Sequence, residues 1–234
     1  MKPLIQARQL RYRYPDGTLA LDAVDFDLFP GETVAIFGAN GSGKTTFVLH
    51  LNGLLQGEGS LLVCGKPVVR ENLAEVRRKI GIVFQDPDEQ LFMPTVLEDV
   101  AFGPRNSGLG PEEAEQRALA AMKKVAMSDA RDKAPYHLSA GEKRRAAIAG
   151  VLAMDPEILV LDEPTTFLDP PGQRELVQLL RALPQAKLIV THDVAFARAV
   201  ATRAVFFLHG TVAGSGPVDA IIQQFQWDIQ LGPA

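Results

Sequence analysis

Thr33-Val34-Ala35-Ile36-Phe37-Gly38-Ala39-Asn40-Gly41-Ser42-Gly43-Lys44-Thr45-Thr46-Phe47-Val48-Leu49-His50-Leu51 reads as a strand, a glycine loop and a helix. The first five residues are rich in β-formers, and the last five run without Gly or Pro. Between them, residues 38–45 fit the spacing G-x-x-x-x-G-K-[ST] in the context that gives this pattern its meaning. Glycines let the backbone wrap around phosphate oxygens without Cβ clashes. The loop amides then point inward, and the helix N-terminus adds the positive end of its dipole. Lys44 is spaced to reach the β- and γ-phosphates, and the Thr45 hydroxyl to ligate Mg2+. The nucleotide-binding candidates here are Gly38, Asn40, Gly41, Ser42, Gly43, Lys44, Thr45 and Thr46. The motif implies binding of a nucleoside triphosphate with Mg2+.

A second half of such a site lies far along the chain. The apolar run 158–161 ends in Asp162 and Glu163. Beside a phosphate loop, such an aspartate holds Mg2+ together with the loop hydroxyl. A carboxylate one residue on can polarise attacking water as a general base. Leu138-Ser139-Ala140-Gly141-Glu142 precedes a helical run expected from Lys143. The Ser139 hydroxyl and Gly141 amide at a helix N-terminus make another anion site, although Ser-x-Gly-Glu also reads as a plain N-cap. His192, in Thr191-His192-Asp193, follows the apolar run 188–190. A lone histidine is more often structural, but the end of a parallel strand is where α/β proteins bind ligands.

The rest of the chain is read around these points. The 234 residues, 47% hydrophobic, are enough to bury a sizeable core. A net charge of −4 gives no nucleic-acid footprint. The one cysteine, Cys64, excludes an internal disulfide and is read as a small core residue in a reducing compartment. No signal peptide is visible at the N-terminus, and no apolar run approaches the ~18 residues needed to span a bilayer. Val24-Asp25-Phe26-Asp27-Leu28 alternates as a half-buried strand after a Pro15-Asp16-Gly17 turn. With a pair at 60–63 and 67–69, it suggests an antiparallel β subdomain. The runs 80–84, 158–161, 188–190 and 204–208 are continuously apolar, as strands of a helix-covered parallel sheet are. Helical patterns fall at 171–183, 194–202 and 217–225. Residues 85–153 have a different texture. They open on polar turn residues and continue with a helix from Pro111 to about Met127, whose apolar positions are Ala114, Ala118, Ala121, Met122 and Val125. They are read as an inserted helical subdomain, leaving 1–84 and 154–234 as core plus antiparallel β subdomain.

Together these residues resemble the ATP-binding cassette ATPases over nearly the whole chain. Residues 38–46 resemble the Walker A loop, and 158–163 resemble Walker B with its catalytic glutamate. Gln85 resembles the Q-loop glutamine that touches Mg2+ and the attacking water. Residues 138–142 resemble the signature Leu-Ser-Gly-Gly-Gln, Phe167-Leu168-Asp169 the D-loop, and His192 the switch histidine. Tyr14 resembles the aromatic that stacks on adenine, with Tyr12 a weaker candidate. The resemblance implies an α/β fold of the P-loop NTPase, ABC ATPase type: a mixed, largely parallel sheet flanked by helices, an N-terminal antiparallel β subdomain and an inserted helical subdomain. It implies ATP hydrolysis with Glu163, His192 and Gln85 as catalytic residues, and with Thr45, Gln85 and Asp162 around Mg2+. It also implies a head-to-tail pair, in which Ser139 and Gly141 of one copy close the ATP site of the other. Ala140 and Glu142 depart from the signature, and Phe167 is bulky for a D-loop.

Within that family, Phe84-Gln85-Asp86-Pro87-Asp88-Glu89-Gln90-Leu91-Phe92 followed by Thr95-Val96-Leu97-Glu98-Asp99-Val100-Ala101-Phe102-Gly103-Pro104 resembles the ATPases of energy-coupling-factor importers, especially those for cobalt and nickel. There the segment forms a groove for a coupling helix. Leu91, Phe92 and Met93 would give an apolar floor, or else pack the subdomain interior, and Asp86, Asp88 and Glu89 would face a basic partner. The resemblance implies an integral membrane coupling subunit, a solute-binding membrane subunit and a second copy of this chain. It places the protein peripherally on the cytoplasmic face of the inner membrane, with no nucleic-acid partner. The chain ends soon after its last expected helix, so ATP and the membrane partner are expected to do most of the pairing. Related importers carry biotin and other vitamins. A soluble cassette acting on nucleic acid or ribosomes would usually show a basic arm or tandem cassettes, and a P-loop kinase would leave the signature and His192 unexplained.

Overall fold

The computed structural model describes residues 1–228. In chain order the elements begin with β1 (Ile5–Arg13), β2 (Leu19–Leu28), β3 (Thr33–Phe37), α1 (Lys44–Leu51), β4 (Glu58–Val63) and β5 (Lys66–Pro67). There follow α2 (Leu73–Lys79), β6 (Ile80–Val83), α3 (Val96–Asn106), α4 (Pro111–Lys124) and α5 (Ala140–Leu152). The last are β7 (Ile158–Asp162), α6 (Pro170–Ala182), β8 (Ala186–Val190), α7 (Val194–Val200), β9 (Arg203–Leu208), β10 (Thr211–Gly216) and α8 (Val218–Gln224).

Two sheets result. An antiparallel sheet runs in the order β2-β1-β4-β5. Its first hairpin closes at Pro15-Asp16-Gly17, where the Asp16 carboxylate accepts the Thr18 amide at 2.8 Å. The larger sheet runs β10-β9-β3-β8-β7-β6. Its pairs β3/β8, β3/β9, β6/β7 and β7/β8 are parallel, and only the edge pair β9/β10 is antiparallel. Register aligns the carboxyl ends: Val83 faces Leu161, Asp162 faces Val190, and Ile36 faces Val190. All four strand ends therefore open on one edge of the sheet.

The apolar strands are continuous because both faces are covered. Leu159, Leu161 and Ile189 pack with the helical segment through Val100, Met122, Ile148 and Leu152. Ile158, Val160, Leu188 and Val190 turn the other way, onto Phe47, Val48 and the antiparallel sheet. Ala35, Phe37, Ala204 and Phe206 meet α7 and α8. Three layers share the one parallel sheet, so residues on its open edge are held from both sides.

Several local expectations shift. The helix expected from Lys143 starts at Ala140, because Ser139 and Glu142 form a reciprocal capping box that nucleates the turn earlier. The helix from Pro111 stops at Lys124, since Ala126 takes a left-handed φ of 55°; Val125 is still buried. The strand expected over 67–69 is reduced to Lys66–Pro67. Helix α3 was not read from the sequence at all; Thr95 and Glu98 cap it as Ser139 and Glu142 cap α5. Among the described residues no helix is long and apolar enough to cross a membrane.

Cys64 is not a core residue. It sits half-buried in the β4–β5 turn with φ 48°, its Sγ 3.7 Å from Glu157 Oε2. Burial, and then the neighbouring Glu157 carboxylate, push its thiol from 9.0 up to about 11. Only the thiolate reacts with a disulfide reagent. At pH 8 the native protein is expected to label on the order of a hundredfold more slowly than the urea-unfolded chain, the ratio of the two thiolate fractions. Equal rates in the two states would refute this setting for Cys64.

Candidate functional site

The loop between β3 and α1 is shaped by contacts that exclude side chains. Gly38 has φ 145°, and a Cβ there would lie 2.4 Å from the Phe207 carbonyl oxygen. Gly43 has φ 104°, and its Cβ would lie 2.5 Å from the Ala20 carbonyl oxygen. The loop is thus wedged between β9 and β2 at positions only glycine can fill. Helix α1 has no side-chain cap, so its first amides are left to an anion. Gly41, Asn40 and Thr45 are exposed at this mouth, while Ser42 and Thr46 are buried. Lys44 Nζ donates to the carbonyls of Gly38 (2.7 Å) and Ala39 (2.9 Å). Burial lowers its pKa, and the fields of Glu163 and Asp162 offset part of that.

Tyr14 lies at the start of the same helix, its hydroxyl 3.1 Å from Thr46 Oγ1. Its ring meets Tyr12 edge-on at 5.0 Å, and Tyr12 in turn meets His50 at 4.8 Å. His50 Nδ1 lies 2.7 Å from the Thr46 carbonyl. Of the two tyrosines, Tyr14 is the one in hydrogen-bond contact with the loop helix.

On the neighbouring strands, Asp162 ends β7 and the chain kinks at Glu163, a non-glycine with φ 41°. Such a conformation persists only where the surroundings fix it; here the Glu163 amide donates to Val190 O at 2.8 Å. Glu163 Oε2 lies 3.3 Å from the His192 amide, which donates to it, and 2.9 Å from His192 Nδ1. Burial, and then the adjacent Glu163 charge, push the Asp162 carboxyl from 3.8 up to about 6, against the pull of Lys44 and Arg144. A carboxylate made this uncomfortable gains by meeting a cation. Among the described residues no group of three or more His, Cys, Asp or Glu is set to hold a metal. One carboxylate and a hydroxyl suit Mg2+, which takes few protein ligands and fills its shell with phosphate oxygens and water.

Gln85 follows β6, next to β7, with its side chain exposed. Ser139 and Gly141 are not brought to the loop: among the described residues their side-chain and capping bonds stay within α5. The Ser139 hydroxyl donates to Glu142 Oε2 at 2.9 Å and accepts the Glu142 amide at 3.3 Å. Glu142 in turn pairs with Lys133 at 3.3 Å. The departure from glutamine therefore puts a carboxylate on the serine hydroxyl and a lysine on the carboxylate. Of the expected apolar floor, Leu91 is buried, Met93 half-buried and Phe92 61% exposed, edge-on to Phe102 at 5.0 Å. The Asp88 carboxylate is bound by Lys143 at 2.7 Å, and Asp86 caps the turn that follows it; of those three acids Glu89 alone has no ion-pair or hydrogen-bond partner for its carboxylate among the described residues. Phe167 is 73% exposed with φ 66°. Arg144 escaped the sequence reading, because Lys143-Arg144-Arg145 on a helix looks like a solvated face; it is buried, and bonded to Phe84 and Gln85.

The chain matches the ABC transporter family over residues 21–166. It is 52% identical over 214 residues to a Streptomyces coelicolor chain named as an ABC transporter ATP-binding protein, covering 91% of this chain and 82% of that one. It is 48% identical over 200 residues to an energy-coupling factor transporter ATP-binding protein of Methanosphaera stadtmanae, covering 83% of this chain and 72% of that one. Among solved structures, CbiO1 of Clostridium perfringens, part of the ABC transporter complex CbiONQ, superposes with a TM-score of 0.87 at 37% identity, over 97% of this chain and 93% of that one. A dimeric ATP-binding cassette in a post-hydrolysis state, bound to ADP and phosphate, superposes with a TM-score of 0.80 at 29% identity, over 92% of this chain and 98% of that one. With the phosphate loop, the paired acids and the parallel sheet that aligns them, this similarity means that the chain belongs to the ABC transporter family, as an ATP-hydrolysing cassette.

Proposed function

We propose that this chain is the ATPase subunit of an energy-coupling-factor importer for cobalt or nickel ions. The observation that carries the ATPase half is the alignment of Gly38, Asp162, Glu163 and His192 on one edge of the parallel sheet, with Glu163 held against His192 at 2.9 Å. The loop amides and Lys44 bind the β- and γ-phosphates, and Tyr14 stacks on adenine. Thr45, Asp162 and Gln85 would hold Mg2+, which when bound would supply positive charge against that developing on the phosphates. Glu163 accepts a proton from the attacking water, and His192 holds that carboxylate in place. Ser139 and Gly141 of a second copy close the γ-phosphate side, since in one copy, among the described residues, these residues bond only within their own helix.

The importer half rests on the segment after β6. Phe92 and Phe102 present exposed aromatic surface beside Gly103, and a cleft of about 310 Å3 lies between them and α5. We assign this cleft to a coupling helix of an integral membrane subunit, itself joined to a solute-binding membrane subunit. On this reading the chain works at the cytoplasmic face of the membrane. The test is recovery of tagged chain from detergent-solubilised host membranes. A helical coupling subunit and a small membrane protein that binds Co2+ or Ni2+ should come with it. Recovery of soluble or ribosomal partners only would leave the ATPase standing and remove the importer.

A further inference from the structure

We propose that Arg144 is a positioning residue for hydrolysis, whose buried guanidinium fastens Gln85 to the helix that carries Ser139 and Gly141. The inference builds on the role given above to Gln85.

Arg144 is 1% exposed, one of the largest fully buried side chains in the protein. Nη1 donates to the Phe84 carbonyl and Nη2 to the Gln85 carbonyl, both at 2.7 Å. Among the described residues no carboxylate lies within ion-pair distance of it; Asp86 and Asp162 act on it only at longer range. A buried cation without a contacting anion costs more than an apolar side chain of the same volume. Core packing therefore gives no reason for arginine at this position. The two carbonyls do: they are successive, and the planar fork of a guanidinium fits both at once, as an ammonium cannot.

The peptide so held is gripped from a second direction. Gln90 Oε1 accepts the Phe84 amide at 2.9 Å, and Gln90 Nε2 donates to the Ile82 carbonyl at 3.0 Å. Arg144 thus holds the Phe84 and Gln85 carbonyls while Gln90 holds the Phe84 amide and the Ile82 carbonyl, so side chains bind four backbone groups of this turn. Arg144 lies little more than one turn from the capping box of Ser139 and Glu142, on the same rigid helix. A displacement of that turn, as when it meets a nucleotide on a second copy, moves the Gln85 backbone with it. Since Gln85 emerges beside Asp162, the link runs from the anion site of α5 to the cation site of β7.

The test compares Arg144→Met, Arg144→Gln and Arg144→Lys in the full chain. In Arg144→Met, kcat for ATP hydrolysis should fall at least tenfold, while KM and the affinity for a fluorescent ATP analogue stay within twofold. Amide exchange over residues 84–90 should quicken. Arg144→Lys, which keeps the charge but replaces the planar fork with a single ammonium nitrogen, should recover part of kcat, and Arg144→Gln should fall between Lys and Met. A wild-type kcat in Arg144→Met, or a loss matched by an equal loss of nucleotide affinity, would overturn the proposal; if Arg144→Met does not fold, Arg144→Gln takes its place in both readings. Unchanged exchange over 84–90 sinks the fastening itself. Gln85→Ala is the separate control: a wild-type kcat there removes the role of Gln85 but leaves the exchange result to judge Arg144.

Discussion

Glu163→Gln is expected to abolish turnover while leaving nucleotide bound. The substitution is nearly isosteric, and an amide oxygen can still accept the His192 amide that Glu163 Oε2 now accepts at 3.3 Å. What it removes is the capacity to take a proton, and general-base catalysis is worth about 10²- to 10⁴-fold. It also removes the like charge that helps hold the Asp162 carboxyl up at about 6. The carboxylate proposed above to hold Mg2+ therefore becomes easier to ionise, so on that proposal a loss of rate would not be traced to a loss of Mg2+. Released phosphate should drop by at least a hundredfold. Size-exclusion chromatography in ATP should show a dimer that ADP does not support. A variant that still turns over at the wild-type rate would remove Glu163 as the base.

Lys44→Ala should weaken ATP binding without disturbing the fold. Among the described residues Lys44 Nζ bonds only the Gly38 and Ala39 carbonyls, both in its own loop. The loop's path is set instead by Gly38 and Gly43, where any side chain would strike Phe207 O or Ala20 O. Of the two carbonyls freed by the change, that of the exposed Ala39 turns to water and that of the buried Gly38 loses a part-buried bond. Stability should therefore fall by about 1 kcal/mol, not enough to unfold the chain. On the ligand side, a charge-assisted hydrogen bond to phosphate contributes about 1.5–3 kcal/mol, which is roughly ten- to a hundredfold in Kd. A fluorescent ATP analogue would read the loss, with thermal unfolding as the control. Unaltered affinity in the folded variant would refute the phosphate role of Lys44.

What could be read in advance follows from how local each signal is. The residues of the phosphate loop are contiguous, and its strand, glycines and helix announce themselves within twenty positions. Continuous apolar runs told of a sheet covered on both faces because burial acts residue by residue. Arg144 was illegible, since nothing in Lys143-Arg144-Arg145 says which of three cations turns inward. The same holds for Leu91 and Phe92, adjacent apolar residues of which one is buried and the other exposed. The start of α5 was misplaced for a different reason: the capping box at Ser139 and Glu142 was legible as a pattern, but it was read as a site before a helix rather than as its first turn.

The amino-acid sequence by itself determined the chemistry on offer: a phosphate loop at 38–45, two acids at the end of a strand, a histidine after another, and a fold class with room for them. It could do so because each of these is a short-range pattern with its own physical logic. Only the tertiary structure decided which of them meet. Parallel register brings Asp162 beside Val190 and so Glu163 against His192, while Ser139 remains bonded within its own helix. Neither outcome follows from local preference, because strand order and the facing of a helix are fixed by packing between residues far apart in the chain.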